Sequence, residues 1–418
     1  MDSKHEPENI ICLDPGSAQL LSGMGEKNLL VGIPSFNCAH TIGYVLHQVA
    51  GGLTKYFPDH KSLILVSDGG SQDGTREVAE AVKTGKIDRF FTKYVGLSGK
   101  GSAVRAILEA ASILNVESVA MFDSDLRSIT PEWCKIIFEA TMSDADLVTP
   151  FYIRHKYDGT ITNNLCYPFT RAVYGLRVRQ PIGGDFGLSN SLVTKLLDSP
   201  LWDSEYVRRF GIDIFITHSA IAHGFRLNEA FLGSKVHEGK DPGAELTAMF
   251  CQVVGSMFTC AKEYEEYWRR AAGSRPVHLL ECPISFPGPE PVTVDSSRLL
   301  NEFRGTLARS ALLLREVLQE ELYEEMAKLA RSAGFRIAPE MWAKTVYSFV
   351  CAFKKQAGSE VRNELLESLR GLWLGKVYGF LLETEGKSDE EANQFVEREA
   401  EAFEDLKPFL LSNYPRDD

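Results

Sequence analysis

Residues 119–128, VAMFDSDLRS, decide the fold: Val119, Ala120, Met121 and Phe122 suit a buried strand, and they run straight into Asp123-Ser124-Asp125. Side chains alternate faces along a strand, so residues i and i+2 point the same way, about 7 Å apart along the backbone. The pattern therefore predicts that Asp123 and Asp125 face one place together at a strand end. Upstream, NLLVGIPSF (28–36), KSLILVSD (61–68) and DRFFTKYV (88–95) read as three more strands. Between them AHTIGYVLHQVAGGL, DGTREVAEAVK and GKGSAVRAILEAASIL carry helical spacing. Strands rich in Val, Ile and Leu that alternate with helices predict an α/β fold, a mostly parallel Rossmann-like sheet covered by helices on both faces. Ligands of such sheets gather at the carboxyl ends of the strands. Three of those ends carry polar or glycine-rich groups: PSFN (34–37), SDGGSQDGT (67–75) and DSD (123–125).

Composition bounds the rest. The 418 residues, 44% hydrophobic, suffice for two domains, or one large domain with an extension. The formal net charge is −12 with no block of five or six basic residues, which argues against binding of a nucleic-acid backbone. Eight scattered cysteines without a C-x-x-C pair predict free thiols in a reducing compartment. No basic start followed by an apolar core opens the chain, and the most apolar helical window, 248–261, is shorter than the roughly 20 residues of a membrane span. The expectation is a soluble cytoplasmic protein without a membrane span. Past CPISFPGPEPV (282–292) the composition shifts to helix formers with helical spacing. The expected division is an N-terminal extension (1–27), the sheet domain (28–285) and a helical C-terminal domain (286–418). The amphipathic tail suits burial against the sheet domain or, equally, a homo-oligomer interface.

Each motif has a functional and a plain structural meaning. Asp123 and Asp125 suit a divalent cation whose other positions are filled by nucleotide phosphates, or else they cap the following turn. Asp68 can accept hydrogen bonds from a base or ribose while Gly69 and Gly70 let the backbone approach, or the stretch is an Asp/Gly turn. Lys100 stands between two glycines at a helix start, where free N–H groups and an ammonium can meet phosphate. The spacing is not that of a Walker A loop.

In this order and spacing, VGIPSFN, SDGGSQDGT, GKGSAV and FDSD resemble nucleotide-sugar glycosyltransferases of the GT-A fold, family 2 in particular. RHKYDGTITNNLCYPFTRAVYG (154–175), RQPIGGDFGLS (179–189), RRFGIDIFI (208–216) and SKVHEGK (234–240) are similar to the glucosylglycerate, mannosylglycerate and glucosyl-3-phosphoglycerate synthases. The resemblance covers most of the chain after residue 27. It implies a retaining enzyme that joins a sugar from a nucleoside diphosphate to D-glycerate or 3-phosphoglycerate. Carried over residue by residue, it implies Asp125 and His237, with Asp123, as ligands of Mg²⁺ or Mn²⁺. It implies Pro34, Phe36, Asn37, Asp68, Gly69, Lys100, Asp123, Ser124, Gly183, Gly184, Asp213 and Lys235 around the nucleotide sugar. Asp213, Asp185 and Lys100 become the catalytic candidates, and Arg154, Thr160 and Thr162 the acceptor-binding ones. Thr160 stands where the phosphoglycerate enzymes have an arginine, which weakens the case for a phosphorylated acceptor.

The function these residues imply is metal-dependent transfer of glucose from GDP- or UDP-glucose to D-glycerate, with retention. Alternatives left open are mannosyl transfer, 3-phosphoglycerate as acceptor, an inverting family 2 enzyme with Asp213 as base, a nucleotidyltransferase, and a non-catalytic sugar-nucleotide sensor.

Overall fold

The computed structural model describes residues 10–237, 246–281, 285–332 and 335–416. Ten strands occur among them: β1 Leu29–Ser35, β2 Ser62–Asp68, β3 Asp88–Lys93, β4 Ser118–Met121, β5 Leu147–Ile153, β6 Leu176–Arg177, β7 Phe186–Ser189, β8 Leu227–Ser234, β9 Arg275–Pro276 and β10 His278–Leu280. Eight form one sheet in the order β10-β8-β5-β7-β4-β1-β2-β3, and β6 pairs with β9. All pairs in the large sheet are parallel except those of β7, which runs antiparallel to both β4 and β5.

The chain divides into two compact units. The sheet unit comprises Met1–Ile153, Ile182–Glu238 and Val277–Pro289; the helical unit comprises Arg154–Pro181, Gly239–Pro276 and Glu290–Asp418. Two internal segments thus join the helical tail, so the compact units do not follow a single cut near residue 285.

In the sheet unit, β1 and β2 are buried along their whole length, as near-continuous apolar runs require. On one face Val31 and Ile33 lie in a core with Val45 and Val49 of helix Ile42–Tyr56 and Ile137 of helix Pro131–Thr141. On the other, Gly32 leaves room for Ile107 of helix Lys100–Leu114, whose side chain would overlap a Cβ there. The chain runs outward through β1, β2 and β3 and then returns to β4 on the far side of β1. The topological switch point therefore lies between β1 and β4, next to the Asp123 turn.

The N-terminal extension is part of this unit. Helix Pro15–Ser22 is capped by Asp14, which accepts the Ser17 N–H at 2.9 Å. The Glu109 carboxylate accepts the backbone N–H of Cys12 at 3.0 Å and of Leu13 at 2.6 Å, and Val95 N–H donates to Cys12 O at 2.8 Å. These bonds attach the extension both to helix Lys100–Leu114 and to the loop leading into it.

The helical unit contains helices Ser296–Arg309, Pro339–Lys355, Ser359–Thr384 and Asp389–Asp405, as the composition shift predicts. Trp342 and Trp373 are fully buried in it. No helix among the described residues is long and apolar enough to cross a membrane. Seven cysteines among the described residues are free.

Candidate active site

The antiparallel β7 builds the site. Its register sets Phe186 opposite Met121, so one step further along, Asp185 meets the Phe122–Asp123 peptide. Asp185 Oδ1 accordingly accepts the Asp123 N–H at 2.8 Å. Beyond the end of β8, Lys235 donates to Asp123 Oδ2 at 2.8 Å, Asp185 Oδ2 at 2.9 Å and Gly183 O at 2.8 Å. Tyr152, near the end of β5, donates its hydroxyl to Asp185 Oδ2 at 2.6 Å. From the start of its helix, Lys100 reaches Asp123 Oδ1 at 2.8 Å and Asp213 Oδ2 at 3.1 Å. Asp213 sits in the first turn of helix Ile212–Ala222. Gly184 closes the cluster at φ +90°, with a virtual Cβ only 2.5 Å from Asp123 Oδ2. A side chain there meets both a strained backbone and an occupied space.

Three carboxylates thus share two ammonium groups in a largely buried place. Burial disfavours the Asp123 carboxylate, but Lys100 and Lys235 outweigh it and hold that group far below the usual range. Burial likewise opposes the Lys100 ammonium, and Asp123 with Asp213 outweighs this, so its pKa lies well above that of a free lysine. For Asp185 and Asp213 burial prevails over their lysine partners, and both are pushed up. One negative charge is in excess, and it falls on the two carboxylates with only one cation each.

The site candidates divide on this geometry. Lys100, Asp123, Gly183, Gly184, Asp185, Asp213 and Lys235 come together. Strand alternation does not place Asp125 with them, because β4 ends at Met121 and Ser124–Asp125 form a turn. Asp123, expected as a metal ligand, has one oxygen on Lys100 and the other on Lys235. Lys235 and the fully buried Asp185 are bonded to each other. Tyr152 was missed: its partner stands 33 residues away, and an aromatic residue in a strand carries no signal of its hydroxyl's partner.

At the ends of β1 and β2, Asp68 accepts from Ser35 Oγ at 3.0 Å, Gly70 N at 2.7 Å, and Ser71 N and Oγ at 2.8 and 2.6 Å. Those bonds occupy the carboxylate expected to meet a ribose. Asn37, at φ +49°, links to the same loop by donating its N–H to Ser71 Oγ at 2.8 Å and accepting the Gln72 N–H at 3.0 Å. Pro34 is buried in β1, whereas Phe36 is 62% exposed beside Gly69. Ser124 is buried, its carbonyl accepting the Thr41 hydroxyl at 2.8 Å. The glycines around Lys100 serve the fold: Gly99 N–H goes to Tyr94 OH and Gly101 N–H to Arg209 O, both at 3.0 Å. Any anion here meets the ammonium rather than these two N–H groups.

The Asp125 carboxylate makes no hydrogen bond or ion pair with the described residues. Its turn is tied to 236–237: Arg127 N–H donates to Val236 O at 2.8 Å, Val236 N–H to Ser128 Oγ at 3.0 Å, and Arg127 Nη2 to His237 O at 3.1 Å. These bonds hold the turn that carries Asp125 beside the segment that carries His237. Among the described residues no three His, Cys, Asp or Glu side chains converge as a closed metal site.

The acceptor candidates lie in the helical unit. Arg154 pairs with Asp158 at 3.4 Å, and Thr160 and Thr162 are buried, Thr160 fully, so neither hydroxyl is presented to solvent. The turn of chain into the helix at 160 puts both threonines inward.

Residues 30–192, the span from β1 through β7, match the family model described as Glycosyl transferase family 2. The protein is a glycosyltransferase. A mannosylglycerate synthase from Rhodothermus marinus is 24% identical to it over 314 residues, 72% of this chain and 73% of the relative. Among solved structures, the glycosyltransferase is similar to the glucosyl-3-phosphoglycerate synthase of Mycobacterium tuberculosis. In complex with Mn²⁺, UDP and glucosyl-3-phosphoglycerate, that enzyme has 22% identity and a TM-score of 0.46, over 59% of this chain and 83% of the other. Its complex with Mg²⁺ and UDP gives 22%, 0.46, 59% and 82%.

Proposed function

We propose that this glycosyltransferase moves glucose, with retention, from a nucleoside diphosphate to the hydroxyl of D-glycerate, using Mg²⁺ or Mn²⁺ held by Asp125 and His237. The observation that carries the reading is the Lys100–Asp123–Lys235–Asp185 cluster beside the switch point of the sheet. It sets the Lys100 ammonium and the 183–185 loop at the strand ends where a diphosphate is expected to lie, and with three carboxylates against two ammonium groups it leaves neutralisation of that ligand to the cation. The cation, when bound, neutralises charge on the diphosphate as the anomeric C–O bond breaks.

The chain's own residues do the rest. Lys100 is held protonated by Asp123 and Asp213, so its ammonium can donate a hydrogen bond to the leaving phosphate without a proton transfer. Lys235 fixes Asp123 and the 183–185 loop, and Gly184 lets that loop pass against them. Asp213, pushed up by burial and bonded to Lys100, is placed to orient sugar hydroxyls. No residue is required as a base, since the departing phosphate oxygen can take the acceptor proton on the same face. Glycerate without a phosphate is favoured because Thr160 stands where the resemblance to the phosphoglycerate enzymes would put an arginine. A second reading, mannosyl transfer, is favoured by the R. marinus relative.

The test is a matrix of GDP- and UDP-linked glucose and mannose against D-glycerate and 3-phosphoglycerate, with Mn²⁺ or Mg²⁺, scored by released nucleotide. The expected result is NDP release with glucose donor and D-glycerate, giving an α-linked product. Turnover with no glycerate acceptor, or release of pyrophosphate from sugar phosphate and NTP, would overturn the proposal.

A further inference from the structure

A cavity of about 40 Å³ lies within the helical unit, among helices Ser359–Thr384 and Asp389–Asp405 and the segment before Pro339. A water molecule needs roughly 10–15 Å³ measured this way, so the space suits a few waters or one tetrahedral anion. Its floor is a buried ion pair, Lys376 with Glu399 Oε2. Lys376 also donates to Ile337 O at 3.0 Å, which leaves one N–H without a partner among the described residues. Glu399 is 4% exposed, and its Oε1 is buried with no hydrogen-bond partner. Such an orphaned carboxylate oxygen is costly unless a donor reaches it. Burial already pushes the Glu399 carboxyl up, against the pull of Lys376.

The rim is cationic. Arg398 is exposed, lies over the Phe395 ring at 4.2 Å, and makes no ion pair with the described residues. Arg336 pairs with Glu383 at 2.8 Å while remaining 61% exposed. Three cations therefore line the cavity against two carboxylates, an excess of one positive charge. Water would satisfy Glu399 Oε1 but leave that excess, and chloride would balance it while facing the orphaned oxygen without a proton to offer. We propose that this cavity is a second binding site, separate from the Lys100 cluster, for a small anion that also donates a hydrogen bond. Hydrogen phosphate and small hydroxycarboxylates share that chemistry. The anionic oxygens meet Arg398 and the remaining Lys376 N–H, and the hydroxyl donates to Glu399 Oε1.

The test follows the melting temperature of the full chain against inorganic phosphate and, separately, glycolate, at constant ionic strength with chloride as reference. Wild type, Arg398→Ala and Lys100→Ala are compared, the last removing phosphate binding at the sheet site. The expected result is a saturable rise with at least one of the two probes in wild type and Lys100→Ala, weakened at least tenfold in apparent affinity in Arg398→Ala. The probe that acts identifies the source of the anion. No saturable rise, a rise unchanged in Arg398→Ala, or one abolished in Lys100→Ala would overturn the proposal. Crystals grown with the probe that raises the melting temperature and holding only waters at Glu399 would do the same.

Discussion

Replacing Lys235 by Met removes the ammonium while keeping most of the side-chain volume, and its effect can be worked from three bonds. The variant loses the contacts to Asp123 at 2.8 Å, Asp185 at 2.9 Å and Gly183 O at 2.8 Å. Asp185, whose side chain has 0% exposure, is then left with the Tyr152 hydroxyl and the Asp123 N–H but no cation. Removing one partner of a buried pair costs about 3–5 kcal/mol. The sign of the pH dependence follows from the direction already present. Asp185 titrates above its unfolded value, so the folded chain keeps a proton that the unfolded chain releases, and stability falls as pH rises through that window. Losing Lys235 pushes Asp185 further up and widens the window. The deficit against wild type is expected to be largest near pH 8 and to shrink on acidification, by at most about 1.4 kcal/mol per pH unit. Urea unfolding at pH 8 and pH 5.5, with unchanged m-value, measures it. A deficit under about 1 kcal/mol at pH 8, or one that stays constant between the two pH values, would refute the reasoning.

Three further outcomes are expected. Gly184→Ala places a Cβ against Asp123 at a backbone angle of φ +90°, so it should lower kcat at least tenfold; unchanged turnover would show that the loop has other room. Asp125→Asn removes a charge with no partner among the described residues, so the melting temperature should stay near wild type while the Mn²⁺ concentration needed for activity rises by tenfold or more. Equal metal dependence in the two proteins would count against residue 125 as a ligand. Glu109→Ala strips acceptors from the N–H groups of Cys12 and Leu13, and limited proteolysis should then cut within residues 10–23 well before the rest of the chain. Resistance equal to wild type would mean that apolar burial of Leu13 and Leu21 suffices.

The parallel half of the sheet was legible because its strands and helices differ in period: β1 and β2 are continuous apolar runs, and helix Ile42–Tyr56 buries Val45, Leu46 and Val49 at helical spacing. The antiparallel β7 was not, since four residues just past Gly183-Gly184-Asp185 are too short a run to mark a strand, and only pairing with β4 and β5 makes them one. The same distance in sequence hid the site's interior. Lys235 meets Asp123 across 112 residues, and nothing local to SKVHEGK says that its ammonium points inward. The paired aspartates were legible as a strand-end motif, but the inference of a shared direction failed because the strand stops two residues before Asp123. Conversely, Thr160 and Thr162 look like hydroxyls in a polar loop, and burial removed them from solvent.

The most direct test of the account is a crystal structure of the glycosyltransferase with NDP-glucose and Mn²⁺, with the ion located by its anomalous signal. The account predicts manganese bound by Asp125, His237 and the diphosphate, with Lys100 on a phosphate oxygen. Manganese seated on Asp123 with both lysines displaced, or donor bound away from this cluster, would contradict it.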